Sequence, residues 1–159
     1  MEDVLIPWKN VVYCQKDAHI KAIAALFLHQ KVGCIVVCSK KQPVGIITKT
    51  DMLVPILKPT ICFAYQIMNS NLIFVEKSDE IASVCSIMLE RKIHHVLVRE
   101  EGRVVGLVSS TDILTHIVKQ DESENQAFYV QLAEGKRKMG SQWDAILQDE
   151  DYDIWLSKI

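Results

Sequence analysis

The sequence GIITKTD occupies residues 45–51, and GLVSSTD occupies residues 106–112, 61 positions further along the chain. Both stretches place a glycine, two aliphatic residues, a hydroxyl residue, a variable residue, a second hydroxyl residue and an aspartate in the same order. The offset holds without a gap between residues 10–58 and residues 71–119, and 13 of the 49 aligned positions are identical. A repeat of this length predicts two copies of one supersecondary unit that pack against each other.

Hydrophobic periodicity predicts the same order of strands and helices in both copies. For the first copy it predicts strands at 11–14, 34–38 and 44–47 and helices at 20–30 and 52–57. For the second copy it predicts strands at 96–98 and 104–108 and helices at 81–92 and 113–119. Asp17, and Ser78 or Asp79, are the expected N-caps of the first helices, and Gly33, which can adopt a positive φ, is the expected helix end.

Length and composition limit the functions that the chain can have. With 159 residues, 49% of them hydrophobic, it can form one or two small domains with a real core. The net charge of −2 argues against a nucleic-acid partner. Five cysteines without a CxxC pair, and an acidic start without a signal-peptide pattern, favour a cytoplasmic protein. Because no apolar run approaches the roughly 18–20 residues of a membrane span, we expect no membrane partner.

The last 40 residues differ in character from the repeats. Residues 120–159 hold nine acidic and four basic side chains, a charge of −5, which leaves +3 for residues 1–119. Ser141 is a suitable N-cap for a helix that carries Trp143, Ile146 and Leu147 on one face. Such a face either covers the protein's own apolar surface or contacts a partner or a second copy, since tryptophan is common at interfaces.

The duplicated motif has the features of an anion site. A strand ends and a helix begins within seven residues, so backbone N–H groups without helical partners meet the positive end of the helix dipole. Hydroxyl groups can donate to phosphate oxygens, and a carboxylate can accept from the two hydroxyls of a ribose. The hydroxyl groups belong to Thr48 and Thr50 in the first copy and to Ser109 and Thr111 in the second, and the carboxylates belong to Asp51 and Asp112.

A structural interpretation of the same residues stands beside the functional one. Thr48 and Ser109 can act as N-caps, with Asp51 and Asp112 at the third helical position completing two capping boxes. The duplication makes the motif a feature of the fold. It does not by itself show that a ligand binds, so both interpretations stay open at this point.

The motif Gly-x-x-(Thr/Ser)-x-x-Asp, with VGCIVV at residues 32–37 and IHHVLV at residues 93–98 upstream, resembles a tandem pair of CBS domains (cystathionine-β-synthase-type regulatory domains). The resemblance implies an α+β fold of two β-α-β-β-α repeats about a pseudo-twofold axis, here followed by a C-terminal helical tail. We expect the first repeat at residues 5–62, the second at 63–122 and the acidic helical extension at 123–159.

The resemblance also implies a ligand and the residues that contact it. CBS pairs bind AMP, ADP, ATP or S-adenosylmethionine in clefts where each aspartate contacts ribose, each hydroxyl contacts phosphate, and the opposite repeat contacts the base. One expected cleft uses Ser109, Thr111, Asp112, Val12, Val32 and Gly33. The other uses Thr48, Thr50, Asp51, Ile73, Ile93 and His94. In one branch of the family this histidine serves its own repeat's aspartate, so His94 is a candidate for either cleft.

We therefore expect a non-enzymatic, nucleotide-sensing regulatory module, with an adenosine ligand but no cofactor, that forms a homodimer and controls a target protein. The two clefts should be unequal, because Lys49 stands opposite Ser110, and Gly33 opposite His94, in the aligned copies. The alternative is an interaction protein with empty clefts whose C-terminal helix contacts a partner. We expect no metal site, because adjacent histidines on a strand point to opposite faces, and no catalytic pair stands out.

Overall fold

The structure, a computed structural model, describes residues 1–120 of the chain. Within them it shows two β-sheets with helices, the mixed α+β class that the sequence predicts. The strands are β1 (Ile6–Pro7), β2 (Tyr13–Gln15), β3 (Cys34–Ser39), β4 (Gln42–Thr48), β5 (Phe74–Glu76), β6 (His95–Glu100) and β7 (Arg103–Ser109). The helices are α1 (Ile20–Gln30), α2 (Val54–Leu57), α3 (Ile81–Arg91) and α4 (Ser110–Gln120). The helix expected in residues 123–159 lies outside the described residues.

The two copies share their element boundaries until the last helix. The strands β2, β3 and β4 and the helix α1 match β5, β6, β7 and α3 in length at the constant offset. The second helices differ: a 3₁₀ turn at Asp51–Leu53 leads into α2, which has four residues, whereas α4 has eleven. Pro59 explains the early end of α2, because proline disfavours helical backbone in the preceding residue, and Lys58 has left it with φ −133° and ψ 83°.

Each copy contributes one sheet. In the first sheet β2 runs parallel to β3, and β3 pairs with β4 in an antiparallel hairpin. The second sheet repeats this order with β5, β6 and β7, and β1 adds a short antiparallel strand at the free edge of β7. Both hairpins shift register at the same place, between Val37 and Cys38 in one and Val98 and Arg99 in the other. The repeat is therefore preserved at the level of strand pairing.

Alternation along the strands divides the core into three clusters. Ile35 and Val37 of β3 face the helix of their own repeat, as Val96 and Val98 of β6 do in the second repeat. The residues between them face the other way, so that Val36 and Leu97 belong to a third cluster, shared by the two sheets. Each sheet therefore packs with one face on its own helix and with the other face on the neighbouring sheet.

The first residues of the chain belong to the second repeat. Val4, which is 3% exposed, lies in the core cluster of that repeat. Ile6 pairs with Leu107, and Pro7 pairs with Gly106 of the motif. A Cβ atom at Gly106 would overlap the carbonyl oxygen of Ile6, so this glycine is required because the backbone of β1 passes directly over it.

The glycine of the first motif has a related neighbour of a different kind. A Cβ atom at Gly45 would lie 2.5 Å from the sulfur of Met68, in a segment that pairs with the same strand through Ile46 and Asn69. A crossing segment thus restricts the motif glycine in both copies. In the first copy, however, the obstacle is a flexible side chain rather than backbone.

The helix ends differ from the sequence-based expectation. The left-handed residues are Lys31, with φ 52°, and Lys92, with φ 53°, each directly after its helix, so the assignment of this role to Gly33 is wrong. Gly33 has a different neighbour: a Cβ atom there would lie 3.0 Å from the ring nitrogen Nε2 of His95, so the ring would have to shift by a few tenths of an ångström. The glycine thus accommodates a side chain from the other repeat, which local sequence does not reveal.

The N-caps also lie elsewhere than expected. His19 caps α1 by accepting a hydrogen bond from the backbone N–H of Lys21 at Nδ1, with an N···N distance of 3.2 Å. Glu80 occupies the cap position of α3 without a side-chain bond. The carboxylate of Asp79 instead accepts from the backbone N–H of Glu76 at 2.9 Å, which stabilises the turn before the helix.

We expect Gly106→Ala to lower the free energy of unfolding by about 1–3 kcal/mol, because the new methyl group forces β1 away from β7. Gly45→Ala is the matched control and should cost less, since the Met68 side chain can rotate away. Urea unfolding of both variants measures the difference. Equal losses in the two variants would show that the crossing backbone does not restrict Gly106.

Candidate functional site

The two motifs form equivalent corners at the ends of β4 and β7. Thr48 is the last residue of β4, and Asp51 opens the 3₁₀ turn that follows. Ser109 is the last residue of β7, and Asp112 lies in the first turn of α4. We call residues 48–51 the first corner and residues 109–112 the second corner.

In the first corner the aspartate is held by its own loop. Oδ2 of Asp51 accepts hydrogen bonds from the backbone N–H of Thr48, at 2.7 Å, and from its hydroxyl Oγ1, at 2.6 Å. These bonds fix the carboxylate where the strand ends. The bonds resemble one half of a capping box, but the 3₁₀ turn begins at Asp51 and has Thr50 as its N-cap residue, so Thr48 is not the N-cap that the structural interpretation expects.

In the second corner the same pair bonds with the complementary half of the box. The hydroxyl of Ser109 donates to Oδ2 of Asp112 and accepts from the backbone N–H of Asp112 at 3.2 Å. Ser109 is buried, at 8% exposed, so this bond is shielded from water. In both corners, therefore, the first hydroxyl orients the aspartate through one oxygen.

Two polar groups in each corner have no partner in the described chain. Within residues 1–120, Oδ1 of Asp51 and Oδ1 of Asp112 have no hydrogen-bond partner. The hydroxyls of Thr50 and Thr111 likewise bond to nothing in the described chain, and both residues are exposed. Each corner thus offers one free carboxylate oxygen and one free hydroxyl at the start of a helical turn.

His94 belongs to the second corner. Its Nδ1 lies 3.3 Å from the hydroxyl oxygen of Ser110, and its carbonyl oxygen accepts from the backbone N–H of Ser110 at 2.9 Å. Of the two clefts for which His94 is a sequence candidate, the contacts place it beside the one formed by its own repeat. Among the described residues no hydrogen bond joins the first corner to Ile73, Ile93 or His94.

His95 is a residue that the sequence analysis missed as a site candidate. It opens β6 directly opposite Ser109, and its ring lies against Gly33 of the first repeat. Burial lowers the pKa of His95, the neighbouring His94 lowers it further, and the carboxylate of Asp112 partly offsets both. The register of the β6–β7 hairpin pairs residue 95 with residue 109, so this register could have identified His95 as a neighbour of the second corner.

Cys34 shows that the second corner faces the first repeat. It is 7% exposed and is the first residue of β3. Its thiol nevertheless interacts electrostatically with the carboxylate of Asp112, which belongs to the other copy. Burial, with a smaller contribution from the Asp112 carboxylate, raises the pKa of Cys34 to about 12. Gly33, Cys34, His95 and Asp112 therefore converge at one place between the repeats.

The aliphatic candidates have less specific positions. Val12 and Val32 are partly buried against the core of the first repeat, and Ile73 and Ile93 are partly buried against the core of the second. The part of the chain that the structure covers contains no group of three or more His, Cys, Asp or Glu side chains that could hold a metal ion. In that same part, no helix has both the length and the apolar character to cross a bilayer.

The sequence matches the family model described as "CBS domain" twice, over residues 1–58 and 64–119. The chain belongs to the CBS domain family.

The structures that resemble it include a domain pair of protein MJ0100 in complex with 5′-methylthioadenosine and S-adenosyl-L-methionine. That pair is 23% identical with a TM-score of 0.67, and the match covers 76% of this chain and 96% of that one. CBSX2 in complex with AMP is 16% identical with a TM-score of 0.65, with coverages of 74% and 94%.

A sequence relative is an uncharacterized protein of Methanopyrus kandleri. It is 29% identical over 110 residues, which are 64% of this CBS chain and 56% of the relative. The chain thus spans little more than half of the relative's length. The likeness to solved structures at these identities establishes the shared fold of a CBS pair, and the chemistry must be argued from the corners.

We expect the thiols of Cys62 and Cys85, which are partly exposed, to react with iodoacetamide in the native protein well before the other three cysteines. Burial raises the pKa of Cys14 to about 11 and that of Cys34 to about 12, so neither forms appreciable thiolate at neutral pH. Peptide mass spectrometry of the alkylated protein gives the order of reaction, and labelling in denaturant is the control. Rapid native labelling of Cys34 would contradict its burial beside the second corner.

Proposed function

We propose that this CBS pair is a regulatory module that binds an adenosine ligand at its corners, with the second corner as the main site. The candidate ligands are AMP, ADP, ATP and S-adenosylmethionine. The observation that carries the proposal is that the two oxygens of each aspartate differ: Oδ2 accepts hydrogen bonds from the loop, and Oδ1 has no partner in the described chain. Because the free oxygen is fixed beside a free hydroxyl in both corners, each corner offers a ligand an acceptor and a donor at neighbouring positions.

The free groups suit the two polar parts of a nucleotide. A fixed carboxylate oxygen accepts from a ribose hydroxyl at little entropic cost, because the loop has already ordered it. The hydroxyl of Thr111 and the backbone N–H groups at the start of α4 suit a phosphate. Hydrogen bonds to charged groups contribute about 1.5–3 kcal/mol each, so two or three of them support measurable affinity.

Similar structures support the ligand class. The CBS pair of protein MJ0100 holds 5′-methylthioadenosine and S-adenosyl-L-methionine, and CBSX2 holds AMP. All three molecules contain adenosine, and they differ at the 5′ position. For this chain we assign the ribose to Asp112, with Val12, Val32 and Gly33 of the first repeat as contacts of the base.

The first corner is a second, weaker site in this proposal. Its α2 has only four residues, which leaves little helix dipole to attract an anion. Lys49 compensates in part, since it is exposed and forms no salt bridge with the described residues. Ligand contacts there fall to Thr48, Thr50 and Asp51, with Ile73 and Ile93 as the candidate partners from the second repeat, since His94 lies at the second corner.

Regulation follows from binding between two repeats. A ligand that touches both copies stabilises their packed arrangement, and it shifts the population toward any state of a target protein that requires that arrangement. The module does not need to be an enzyme for this role. The five free cysteines fit a reducing compartment, which supports the expectation that it acts in the cytoplasm.

Thermal denaturation with each candidate ligand tests the binding itself. At 100 times Kd a ligand should raise the free energy of unfolding by about 2.7 kcal/mol, which is a clear increase in Tm. We expect at least one adenosine ligand to do this, and guanosine monophosphate is the control for the base. If no adenosine ligand changes Tm, the chain is not a nucleotide sensor, and the interaction role becomes the better explanation.

We expect Asp112→Ala to weaken adenosine binding roughly ten- to hundredfold in calorimetric titrations, because the ribose loses a charged acceptor. Asp51→Ala should affect only the weaker site. Asp79→Ala is the matched control, since Asp79 also accepts a backbone hydrogen bond before a helix but lies outside both corners. An unchanged affinity of folded Asp112→Ala protein would mean that the residue only caps α4.

We also propose that the module forms a homodimer through the region of α2. Three of its neighbouring apolar side chains are exposed: Leu53 by 56%, Ile56 by 73% and Leu57 by 82%. Solvent-facing aliphatic side chains so close together are typical of an interface. Light scattering after gel filtration should give twice the mass of the 159-residue chain, and Ile56→Asp should reduce it to the monomer mass. A monomeric wild-type protein would contradict this part of the proposal.

A further inference from the structure

We propose that His95 makes the second corner choose among adenosine ligands by their charge, favouring a phosphate-bearing ligand increasingly as the pH falls. The proposal rests on the adenosine-binding function above and deepens it by naming a residue that sets ligand choice and its regulation by pH. It concerns a positioning and selectivity role that geometry assigns to His95.

The imidazole of His95 lies where the two repeats meet at the second corner. Its backbone is fixed opposite Ser109 by the β6–β7 pairing. Its Nε2 is 3.0 Å, and its Cε1 3.4 Å, from the position that a Cβ atom on Gly33 would occupy. A ligand that lies between Gly33 and Asp112 therefore has the ring of His95 as a neighbour.

The ring has unused hydrogen-bonding capacity. No other side chain or backbone group within residues 1–120 forms a hydrogen bond with either nitrogen, although the residue is partly buried. A neutral imidazole carries one donor and one acceptor, and leaving them unpaired in a partly buried position is unfavourable. A ligand in the cleft would supply the missing partner.

The titratable groups around the ring explain why its charge should respond to a ligand. They are Asp112 from α4 and His94 from β6 itself, and the thiol of Cys34 from β3 interacts with Asp112. Burial and His94 lower the pKa of His95, so the ring is neutral at pH 7, and Cys34 is neutral because its own pKa is about 12. Asp112 favours the protonated ring but does not outweigh the other two effects.

A phosphate at the second corner adds the negative charge that the free protein lacks there. An anion within about 4–6 Å raises the pKa of a histidine, so the bound state takes up a proton that the free state does not hold. By linkage, affinity for the anionic ligand increases as the pH falls from the pKa of the bound state to that of the free state, by at most about tenfold per pH unit. A ligand without phosphate provides no such charge, and its affinity should not increase.

AMP and 5′-methylthioadenosine form a suitable pair of probes, because they share the nucleoside and differ in the phosphate. We would measure Kd for both by calorimetry between about pH 5.5 and 8, the range in which histidine titrates. The AMP phosphate itself titrates near pH 6, so wild-type protein must be compared with His95→Gln at each pH. His29→Gln is the control variant, since His29 is an exposed histidine in the last turn of α1.

The preference for AMP is the Kd of 5′-methylthioadenosine divided by the Kd of AMP. We expect the increase in this ratio between pH 8 and pH 5.5 to be at least about fivefold larger in wild-type and His29→Gln protein than in His95→Gln protein. Titrations in two buffers of different ionisation enthalpy should show proton uptake with AMP near neutral pH, and none with 5′-methylthioadenosine. His95→Asn is the second variant in case His95→Gln fails to fold, because proton uptake by wild-type protein alone does not separate His95 from the AMP phosphate or from His94.

The outcomes separate the two proposals. If both ligands bind and AMP binds without proton uptake, or if His95→Gln retains the wild-type pH dependence, adenosine binding stands and the role of His95 is wrong. If neither ligand binds to wild-type protein at any pH, the proposed function fails, and the inference fails with it.

Discussion

The contact between the two sheets is the interaction on which the rest of the structure depends. Val36 of β3 is 0% exposed, Leu97 of β6 is 1% exposed and Leu107 of β7 is 4% exposed, and all three lie in the cluster between the sheets. Because the opposite faces of β3 and β6 are buried against helices, a shift of one residue would bury or expose the wrong side chains. The same strands begin at the cleft, so this contact brings Cys34 within electrostatic reach of Asp112.

The two copies have kept the fold and diverged at the corners. Strand pairing, bulges and left-handed helix ends recur at the same positions, so the β-α-β-β unit is built in the same way in both copies. Residues that only face the cleft are free to differ. The first corner carries Lys49 and a short helical segment, whereas the second carries two histidines and a long helix. The two copies therefore share one backbone fold but present different side chains at their corners.

Much of this fold can be predicted from sequence, and the parts that cannot share a physical cause. The bounds of α1 agree with its hydrophobic periodicity, and the strands of both hairpins appear where β-branched residues cluster. The role of Gly33 does not follow from local sequence, because its neighbour His95 lies on another strand. Strand β1 could not be predicted from the sequence either. Its two residues show no periodicity, and they form a strand only because they pair with the edge of β7. The hydroxyl and carboxylate of each corner were identifiable because their spacing repeats, whereas the division of the two carboxylate oxygens requires coordinates.

The pairing of β1 with β7 has a consequence for biosynthesis. The partner of Ile6, Leu107, is made about 100 residues after it, at about 5–20 residues per second. During that interval Val4 lacks the core of the second copy that covers it, and the second copy cannot complete its sheet. Closure of this long loop is a slow kind of contact to form. The sheet of the second copy is therefore completed by residues that are translated before the first copy.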